Sequence, residues 1–358
     1  MTRDDDGGRT MDEMRTTPAE RDEQTRSLRA RIVVLVVAVA VLTGIGASLA
    51  WATTRPAPIG NGVVVIETSL ADGKAAGTGM VLSSSGEVLT NNHVIRGATA
   101  VKVVLPGSGR SYTAKVLGYS VSKDVAVLKA SGASNLRTVS FGNSSTVRVG
   151  QAVTATGNAG GTGTLTSSSG RVTALARAIT VGDDGGGGQR LTGLVETSAE
   201  LEPGDSGGPL FNAAHKVIGM NTAASVGYVF RGTRDADGYA IPINSAITIA
   251  TQIEAGKSSA TVHVGPTAFL GVSVGSDDLG GTGAVVAGIV PGGAAAAAGL
   301  TAGDVITSVD GRAVSSSATL RAALLLEKPG ARVAVTYLDA TTEASQTVSV
   351  TLGSGPPQ

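Results

Sequence analysis

Cysteine is absent from the sequence, which excludes disulfide bonds, thiol nucleophiles and cysteine-ligated metal sites. Aromatic residues make up only 3% of the 358 residues, whereas glycine occurs 51 times. This balance favours short strands joined by tight turns over long packed helices. Acidic and basic residues are equal in number, 28 of each, so no excess of positive charge attracts nucleic acid.

Histidine is also scarce, and its distribution argues against a metal centre. The three histidines, His93, His215 and His263, are far apart and show no ligand spacing. We expect His215, in a turn-like segment, and His263, in a linker, to lie at the surface. The segment Gly160-Gly161-Thr162-Gly163 lacks the Lys-Ser/Thr ending of a phosphate-binding loop, which indicates a hairpin loop. The sequence therefore predicts neither a metal nor any other cofactor.

The first 50 residues combine a charged segment with an apolar one. Residues 1–31 hold eight acidic and seven arginine side chains, which predicts a disordered tail. Residues 32–50 carry no charge and, at about 1.5 Å per residue, form a helix long enough to cross a bilayer. Because arginines are concentrated before this segment, we expect a single-pass helix in the cytoplasmic membrane with the N-terminus in the cytoplasm. The alternative is a signal peptide cleaved at small residues such as Ser48-Leu49-Ala50.

The rest of the chain divides into two predicted domains. Residues 61–256 contain short β-branched runs bounded by Gly, Ser and Asn, which is typical of an all-β sandwich or barrel. Residues 257–266 form a predicted linker rich in Ser and Gly. Helical periodicity returns at 294–300 and 318–326 among strand-like runs, so residues 267–352 predict a smaller α/β domain.

Three segments of the β-rich region carry the chemistry. His93 lies in TNNHVI, Asp124 in KDVAVL and Ser206 in GDSGGPL. A serine hydroxyl needs a histidine to remove its proton, and the imidazole needs a carboxylate to orient it. The separations are 31 and then 82 residues, and the order His, Asp, Ser is that of chymotrypsin-type proteases. Each segment alone also fits an ordinary turn or cap, so it is their joint occurrence that predicts a catalytic triad.

The glycines around Ser206 have a predicted role of their own. An oxyanion hole requires the backbone N–H groups of Gly204 and Ser206 to point at the same developing charge. Glycine reaches the necessary backbone conformation without steric cost. We therefore expect the turn at residues 204–206 to carry both the nucleophile and the oxyanion hole.

With these motifs the sequence resembles the HtrA (Deg) family of envelope serine proteases over residues 61–352. The resemblance rests on the triad segments and on the runs VIGMNTA (217–223) and GYAIPI (238–243). It implies a mainly β catalytic domain of two six-stranded barrels with the triad between them. It further implies that the substrate cleft is bordered by two short segments, which are Asn221, Thr222 and Ala223, and Gly238, Tyr239 and Ala240.

One position departs from the family pattern, and another leaves the preference for the P1 side chain open. Asp205 stands where the family usually has asparagine, and the sequence names no partner for this carboxylate. Glu200 lies six residues before Ser206, where trypsin-like enzymes have the floor of the pocket for the P1 side chain. Its carboxylate either attracts a basic P1 residue or turns to solvent.

The C-terminal region resembles the PDZ domain of the same family. Phe269-Leu270-Gly271-Val272 corresponds to the carboxylate-binding loop, and AGLTAGDVI (298–306) corresponds to the most recognisable core segment. Successive N–H groups at Leu270, Gly271 and Val272 are expected to hold a peptide C-terminus while its backbone extends the sheet. The alternative is a domain that only packs against the protease.

Taken together, these features predict an endopeptidase that cuts misfolded or regulatory envelope proteins. The competing hypothesis is an inactive peptide-binding scaffold or holdase, and a sensor that cuts one membrane partner would share the protease chemistry. The expected partners are polypeptide substrates, peptide C-termini at the PDZ domain and the membrane at the N-terminal helix. The resemblance also implies a homotrimer, although so few aromatic residues leave the family's aromatic trimer contacts unplaced.

Overall fold

The computed structural model describes residues 60–182, 188–222, 229–231, 238–275 and 283–358. Within these ranges no helix is long and apolar enough to cross a bilayer. The predicted tail (1–31) and the predicted membrane helix (32–50) lie outside the described residues.

The first six strands close into an antiparallel barrel with the order β5-β4-β1-β2-β3-β6, and β6 pairs back onto β5. Closure is achieved because β5 is long and bends where its register shifts between Val116 and Gly118, so that it pairs with two neighbours. A four-residue helix, α1 (Asn92–Ile95), follows β3 directly. The strands are β1 (Val63–Ser69), β2 (Lys74–Val81), β3 (Glu87–Thr90), β4 (Ala100–Val104), β5 (Ser111–Ser120) and β6 (Val125–Ala130).

A second six-stranded barrel follows, with the order β8-β7-β10-β11-β13-β9 and a closing pair between β9 and β8. The segment Gly160–Gly163 lies in the hairpin loop between β7 and β8, as predicted. Strand β8 changes register three times near Ala176, a non-glycine residue with φ of 55°, and pairs with β12 beyond these bulges. The strands are β7 (Ala152–Gly157), β8 (Thr166–Gly182), β9 (Gly188–Thr197), β10 (Pro209–Asn212), β11 (Val217–Thr222), β12 (Val229–Arg231) and β13 (Gly238–Pro242).

Helix α2 (Ile243–Glu254) packs on strands of both barrels. Its buried residues, Ile243, Ala246, Ala250 and Ile253, recur every three or four positions and form one apolar face. The helix is followed by a Schellman-type cap, in which Gly256 has φ of 69° and the Lys257 N–H donates to the Gln252 carbonyl oxygen. The core on which α2 packs is continuous from one barrel to the other.

The segment predicted as a linker packs against the first barrel. Strand β14 (His263–Val264) pairs with Tyr119 and Gly118 of β5, and Val262 joins the core. His263 is only 5% exposed, so the prediction of a surface position was wrong. The sequence concealed this burial because two residues suffice for the pairing, and so short a strand has no recognisable period.

The C-terminal region is a small α/β domain. Its main sheet has the order β16-β17-β18-β20-β21, β19 pairs with β18, and β15 forms a separate ribbon with β22. The two predicted helices are present as α3 (Ala294–Ala297) and α4 (Ser317–Leu325), and Ser316 begins the latter with a capping box to Thr319. The strands are β15 (Thr267–Phe269), β16 (Val272–Val274), β17 (Ala284–Ile289), β18 (Val305–Val309), β19 (Arg312–Ala313), β20 (Arg332–Leu338), β21 (Ser345–Thr351) and β22 (Gly353–Gly355).

Candidate functional site

The tertiary structure brings His93 and Asp124 into direct contact. The Nδ1 atom of His93 lies 2.9 Å from Asp124 Oδ2 and 3.1 Å from Oδ1, and the backbone N–H of His93 donates to Oδ1 at 3.0 Å. Asp124 occupies a tight turn with φ of 53°, an uncommon conformation for a non-glycine residue. Both side chains are almost completely buried. The carboxylate therefore holds His93 by its imidazole Nδ1 and by its backbone N–H, in a buried position.

Two further residues hold Asp124 in place. Asn91 donates from Nδ2 to the Asp124 carbonyl oxygen at 2.9 Å, which ties the turn to the residue before helix α1. Thr222 donates from Oγ1 to Asp124 Oδ2 at 3.3 Å. Thr222 was predicted only as a cleft residue, so the structure adds a contact to the acid. Because Thr222 is 98 positions from Asp124, no local sequence signal could have indicated this bond.

Ser206 lies on a buried turn next to the helix that carries His93. Its carbonyl oxygen accepts a hydrogen bond of 2.8 Å from the Thr78 N–H of β2. A Cβ atom built on Gly77 would lie 2.6 Å from Val94 and 3.3 Å from the Ser206 carbonyl oxygen. The absence of a side chain at Gly77 thus allows helix α1 and the Ser206 turn to approach each other closely.

The Pro203–Gly204 peptide has a defined orientation in the structure. The Pro203 carbonyl oxygen accepts from the Gly160 N–H at 2.8 Å. In a trans peptide the N–H points away from the carbonyl, so the Gly204 N–H is directed away from the Gly160 loop. None of the described residues accepts a hydrogen bond from it. Glycine is required here, since φ is 104° and a Cβ atom would lie 2.1 Å from the Asn158 carbonyl oxygen.

Thr78 and Asn158 hold this arrangement together, and neither was identified from the sequence. Thr78 Oγ1 donates to the Gly204 carbonyl oxygen at 2.7 Å and accepts from the Asn158 N–H at 2.9 Å. Asn158 Oδ1 in turn accepts from the Gly163 N–H at 2.7 Å. Both side chains are fully buried. One hydroxyl group therefore connects the nucleophile turn to the glycine-rich hairpin loop.

Asp205 acquires a partner within its own turn. Its Oδ2 atom accepts from the Glu202 N–H at 2.9 Å, whereas Oδ1 is buried without a partner among the described residues. Burial raises the pKa of Asp205, and the nearby Glu202 carboxylate acts in the same direction. The carboxyl group thus braces the turn before Ser206, although its charged form is poorly solvated.

The residues predicted to border the cleft differ in their actual positions. Asn221 is buried and donates from Nδ2 to the Pro209 carbonyl oxygen, so its side chain supports the strand instead of lining a surface. Tyr239 is 1% exposed in the core, and Ala240 is also buried. Ala223, which follows Asn221 and Thr222 in the first predicted segment, lies outside the described residues. Because these side chains are buried, we expect contacts with a substrate at these positions to come from the backbone.

Gly238, which the family resemblance places at the cleft, lies against the side chain of Leu201 and the backbone of Ala199. A Cβ atom on Gly238 would lie 2.9 Å from Leu201 Cγ and 2.6 Å from the Ala199 carbonyl oxygen. Leu201 packs against the neighbouring core cluster. The adjacent Glu200 is exposed, and its N–H donates to Ser168 Oγ at 3.0 Å. Of the two sequence interpretations of Glu200, the structure favours the carboxylate that turns to solvent.

In the C-terminal domain the predicted carboxylate loop connects β15 to β16. Gly271 has φ of 83°, and its carbonyl oxygen accepts from the Val290 N–H at 2.9 Å. The Leu270 side chain is buried, and its carbonyl oxygen accepts from the Ala295 N–H at 2.8 Å. Both carbonyl groups are therefore directed into the domain, while the half-buried Val272 begins β16. Among the described residues, none accepts from the Leu270 or Gly271 N–H.

The described part of the chain has no group of three or more His, Asp or Glu side chains that could hold a metal ion.

Comparisons with known proteins agree with this architecture. The chain matches the trypsin-like peptidase domain family over residues 77–220 and the PDZ domain family over residues 260–338. It is 37% identical to the serine protease PepD of Mycobacterium tuberculosis, over 81% of this chain and 63% of the relative. It is 35% identical to the periplasmic pH-dependent serine endoprotease DegQ of Escherichia coli, over 72% of this chain and 55% of the relative.

The chain thus spans 63% and 55% of the lengths of these two relatives. A solved structure described as the HtrA-type protease AlgW with tripeptide is 30% identical, with a TM-score of 0.47. That alignment covers 84% of this chain and 95% of the other.

Proposed function

The chain belongs to the HtrA family, with a trypsin-like peptidase domain followed by one PDZ domain, and on this premise we propose that it is an active serine endopeptidase. The observation that carries the proposal is the buried contact of His93 Nδ1 with the Asp124 carboxylate beside the Ser206 turn. Burying a charged group lowers stability unless the group is paired. An inactive scaffold would gain nothing from a buried carboxylate directed at an imidazole.

In the proposed reaction the Ser206 Oγ attacks the scissile carbonyl carbon while His93 takes the hydroxyl proton. His93 then gives that proton to the leaving amine, and water repeats the sequence to release the acyl group. The Asp124 carboxylate holds the imidazole in place and stabilises the imidazolium. The N–H groups of Gly204 and Ser206 would bind the oxyanion, a role supported by the orientation of the Pro203–Gly204 peptide.

The substrates we propose are polypeptides with an apolar P1 side chain. This preference is supported by the contact between Leu201 and Gly238 and by the exposure of Glu200. A buried, directed carboxylate would be needed to select lysine or arginine. Unfolded proteins fit such a site because cleavage requires an extended segment that folded proteins rarely offer.

We also assign peptide C-terminus binding to the loop Leu270-Gly271-Val272. The inward carbonyl groups of Leu270 and Gly271 leave their N–H groups available for a carboxylate. The neighbouring strand β16 is at the edge of its sheet, where a peptide strand can add.

For localisation we propose a single-pass anchor at residues 32–50 with the protease outside the cytoplasmic membrane, supported by the arginine bias before this segment. Protease added to intact spheroplasts should digest residues 61–358 and spare an N-terminal tag. A mature N-terminus near Trp51 would instead indicate a cleaved signal peptide.

Analytical ultracentrifugation of the purified protein tests the homotrimer that the family resemblance implies.

The proposed activity is tested by digestion of unfolded casein with the parent protein, Ser206→Ala and His93→Asn. Loss of either member of a triad that acts as a unit lowers kcat by about a millionfold. His215→Asn is a matched control, since this half-buried histidine lies in a turn with φ of 54°, a conformation that asparagine tolerates. If the parent is as inert as Ser206→Ala, or if His93→Asn digests casein like His215→Asn, the proposal is wrong.

A further inference from the structure

Helix α1, which carries His93, is too short to hold its own position. It has only four residues, and no side chain caps its N-terminus. Isolated helices below about 12 residues are marginal in water, so the placement of this helix depends on tertiary contacts. The contacts that hold α1 therefore contribute to the position of the imidazole.

Two of these contacts come from the far end of the chain. Asn92, the residue before His93, donates from Nδ2 to the main-chain oxygen of Gln358 at 2.9 Å. On the other side of the helix, the Gly97 N–H donates to the Pro357 carbonyl oxygen at 2.8 Å. Residues 356–358, which we term the strap, thus hold the helix segment at both ends.

The strap is anchored in the C-terminal domain. It follows β22, which pairs with β15 directly before the carboxylate loop. The Gln358 N–H donates to the Tyr119 hydroxyl at 3.3 Å, and that hydroxyl lies 2.9 Å from Thr267 Oγ1 of β15. Tyr119 and Thr267 are both buried, as is Pro357. Because two consecutive prolines restrict the backbone, the strap has little freedom to move away from the helix.

Helix α1 has other contacts besides those with the strap, and they fix a different part of the helix. Thr68 Oγ1 donates to the Val94 carbonyl oxygen at 2.9 Å, and Asn91 binds the Asp124 turn. These bonds fix the side of α1 that faces the first barrel and the acid. The strap supplies the two bonds at Asn92 and Gly97, which resist rotation of the helix about those points.

From this geometry we propose that the strap, acting through Asn92 and Gly97, positions His93 for its reaction with Ser206. The proposal rests on the proposed function, and it makes a segment of the C-terminal domain part of the support of the active site. Asn92 is a positioning residue, since it acts through its neighbour His93. A displacement of about 1 Å in a reacting group can lower a rate by about a hundredfold. We therefore expect loss of the strap contacts to lower kcat.

The test compares the double variant Pro356→Gly/Pro357→Gly and the variant Asn92→Ala with the parent. Pro106→Gly is the matched control, because this proline lies near the β4–β5 turn, away from α1. The first readout is kcat and KM on a short chromogenic peptide, together with the rate at which a fluorophosphonate labels Ser206. The second is hydrogen exchange of residues 91–99 by mass spectrometry, which does not depend on activity.

We expect the double proline variant and Asn92→Ala each to lower kcat and the labelling rate by about 10- to 100-fold, with KM within about twofold of the parent. Exchange at Gly97 should accelerate in the proline variant, while Pro106→Gly should match the parent in every readout. Parent-like kcat together with parent-like exchange in the proline variant would overturn the proposal, even if Asn92→Ala fails to fold. A parent that is not labelled at Ser206 would refute the proposed function, whereas the exchange data would still decide whether the strap holds the helix.

Discussion

Replacing Thr78 by valine should disable the site while its shape is retained. Valine has nearly the same volume but no hydroxyl, so the change removes the bonds to the Gly204 carbonyl and from the Asn158 N–H. These two backbone groups are buried with Thr78, where water cannot replace the lost partner. The substitution therefore affects both stability and the geometry of the predicted oxyanion hole.

The magnitude follows from the two unsatisfied groups. Each costs about 1–3 kcal/mol, so the free energy of unfolding should fall by about 2–6 kcal/mol. For a domain of about 200 residues this lowers Tm by about 4–24 °C. If the Gly204 N–H also loses its orientation, kcat should fall by up to about a hundred- to a thousandfold, the loss typical of one oxyanion donor.

Calorimetry and kcat on a short chromogenic peptide measure these effects, with Thr78→Ser as the matched control. Serine keeps the hydroxyl and loses one methyl group, which costs about 1 kcal/mol, so it should retain most of the activity. A Thr78→Val protein with the Tm and the kcat of the parent would refute the assignment of Thr78 as the connection between the two loops. Equal losses in the serine and valine variants would refute the role of the hydroxyl.

Three further predictions concern Asp205, the bond between Tyr119 and Thr267, and the carboxylate loop. Burial raises the pKa of Asp205, so the contribution of this group to stability is lost as the pH rises through that pKa. The Tm of Asp205→Asn should therefore exceed that of the parent by more at about pH 8 than at about pH 4, and a difference that does not change with pH would contradict this. Tyr119→Phe and Thr267→Val, measured singly and together by calorimetry, should show a coupling energy of about 0.5–3 kcal/mol, and strict additivity would exclude a direct bond. A non-cleavable peptide ending in valine should bind the C-terminal domain with micromolar-range Kd by calorimetry, whereas its amide should not; equal binding would refute the carboxylate loop.

The candidate triad could be predicted because its residues lie in segments that carry information locally. His93, Asp124 and Ser206 are embedded in short motifs, and their order along the chain is typical of one protease architecture. The β-rich character follows in the same way from β-branched runs between turn residues, and the two short helices of the C-terminal domain follow from their periodicity. These features depend on residue type and on near neighbours, which the sequence contains directly.

The supports of the site were decided by tertiary structure alone. Thr78 is 126 positions from Gly204, and Asn92 is 266 positions from Gln358, so closure of the barrels and docking of the C-terminal domain select these partners. The same holds for Tyr239, which the motif placed at the cleft and the barrel places in the core. A strand presents its side chains to two faces, and which face becomes interior depends on how distant strands pair. A hydroxyl or an amide carries no local mark of the partner it will bind, because that partner is defined only once the chain has folded.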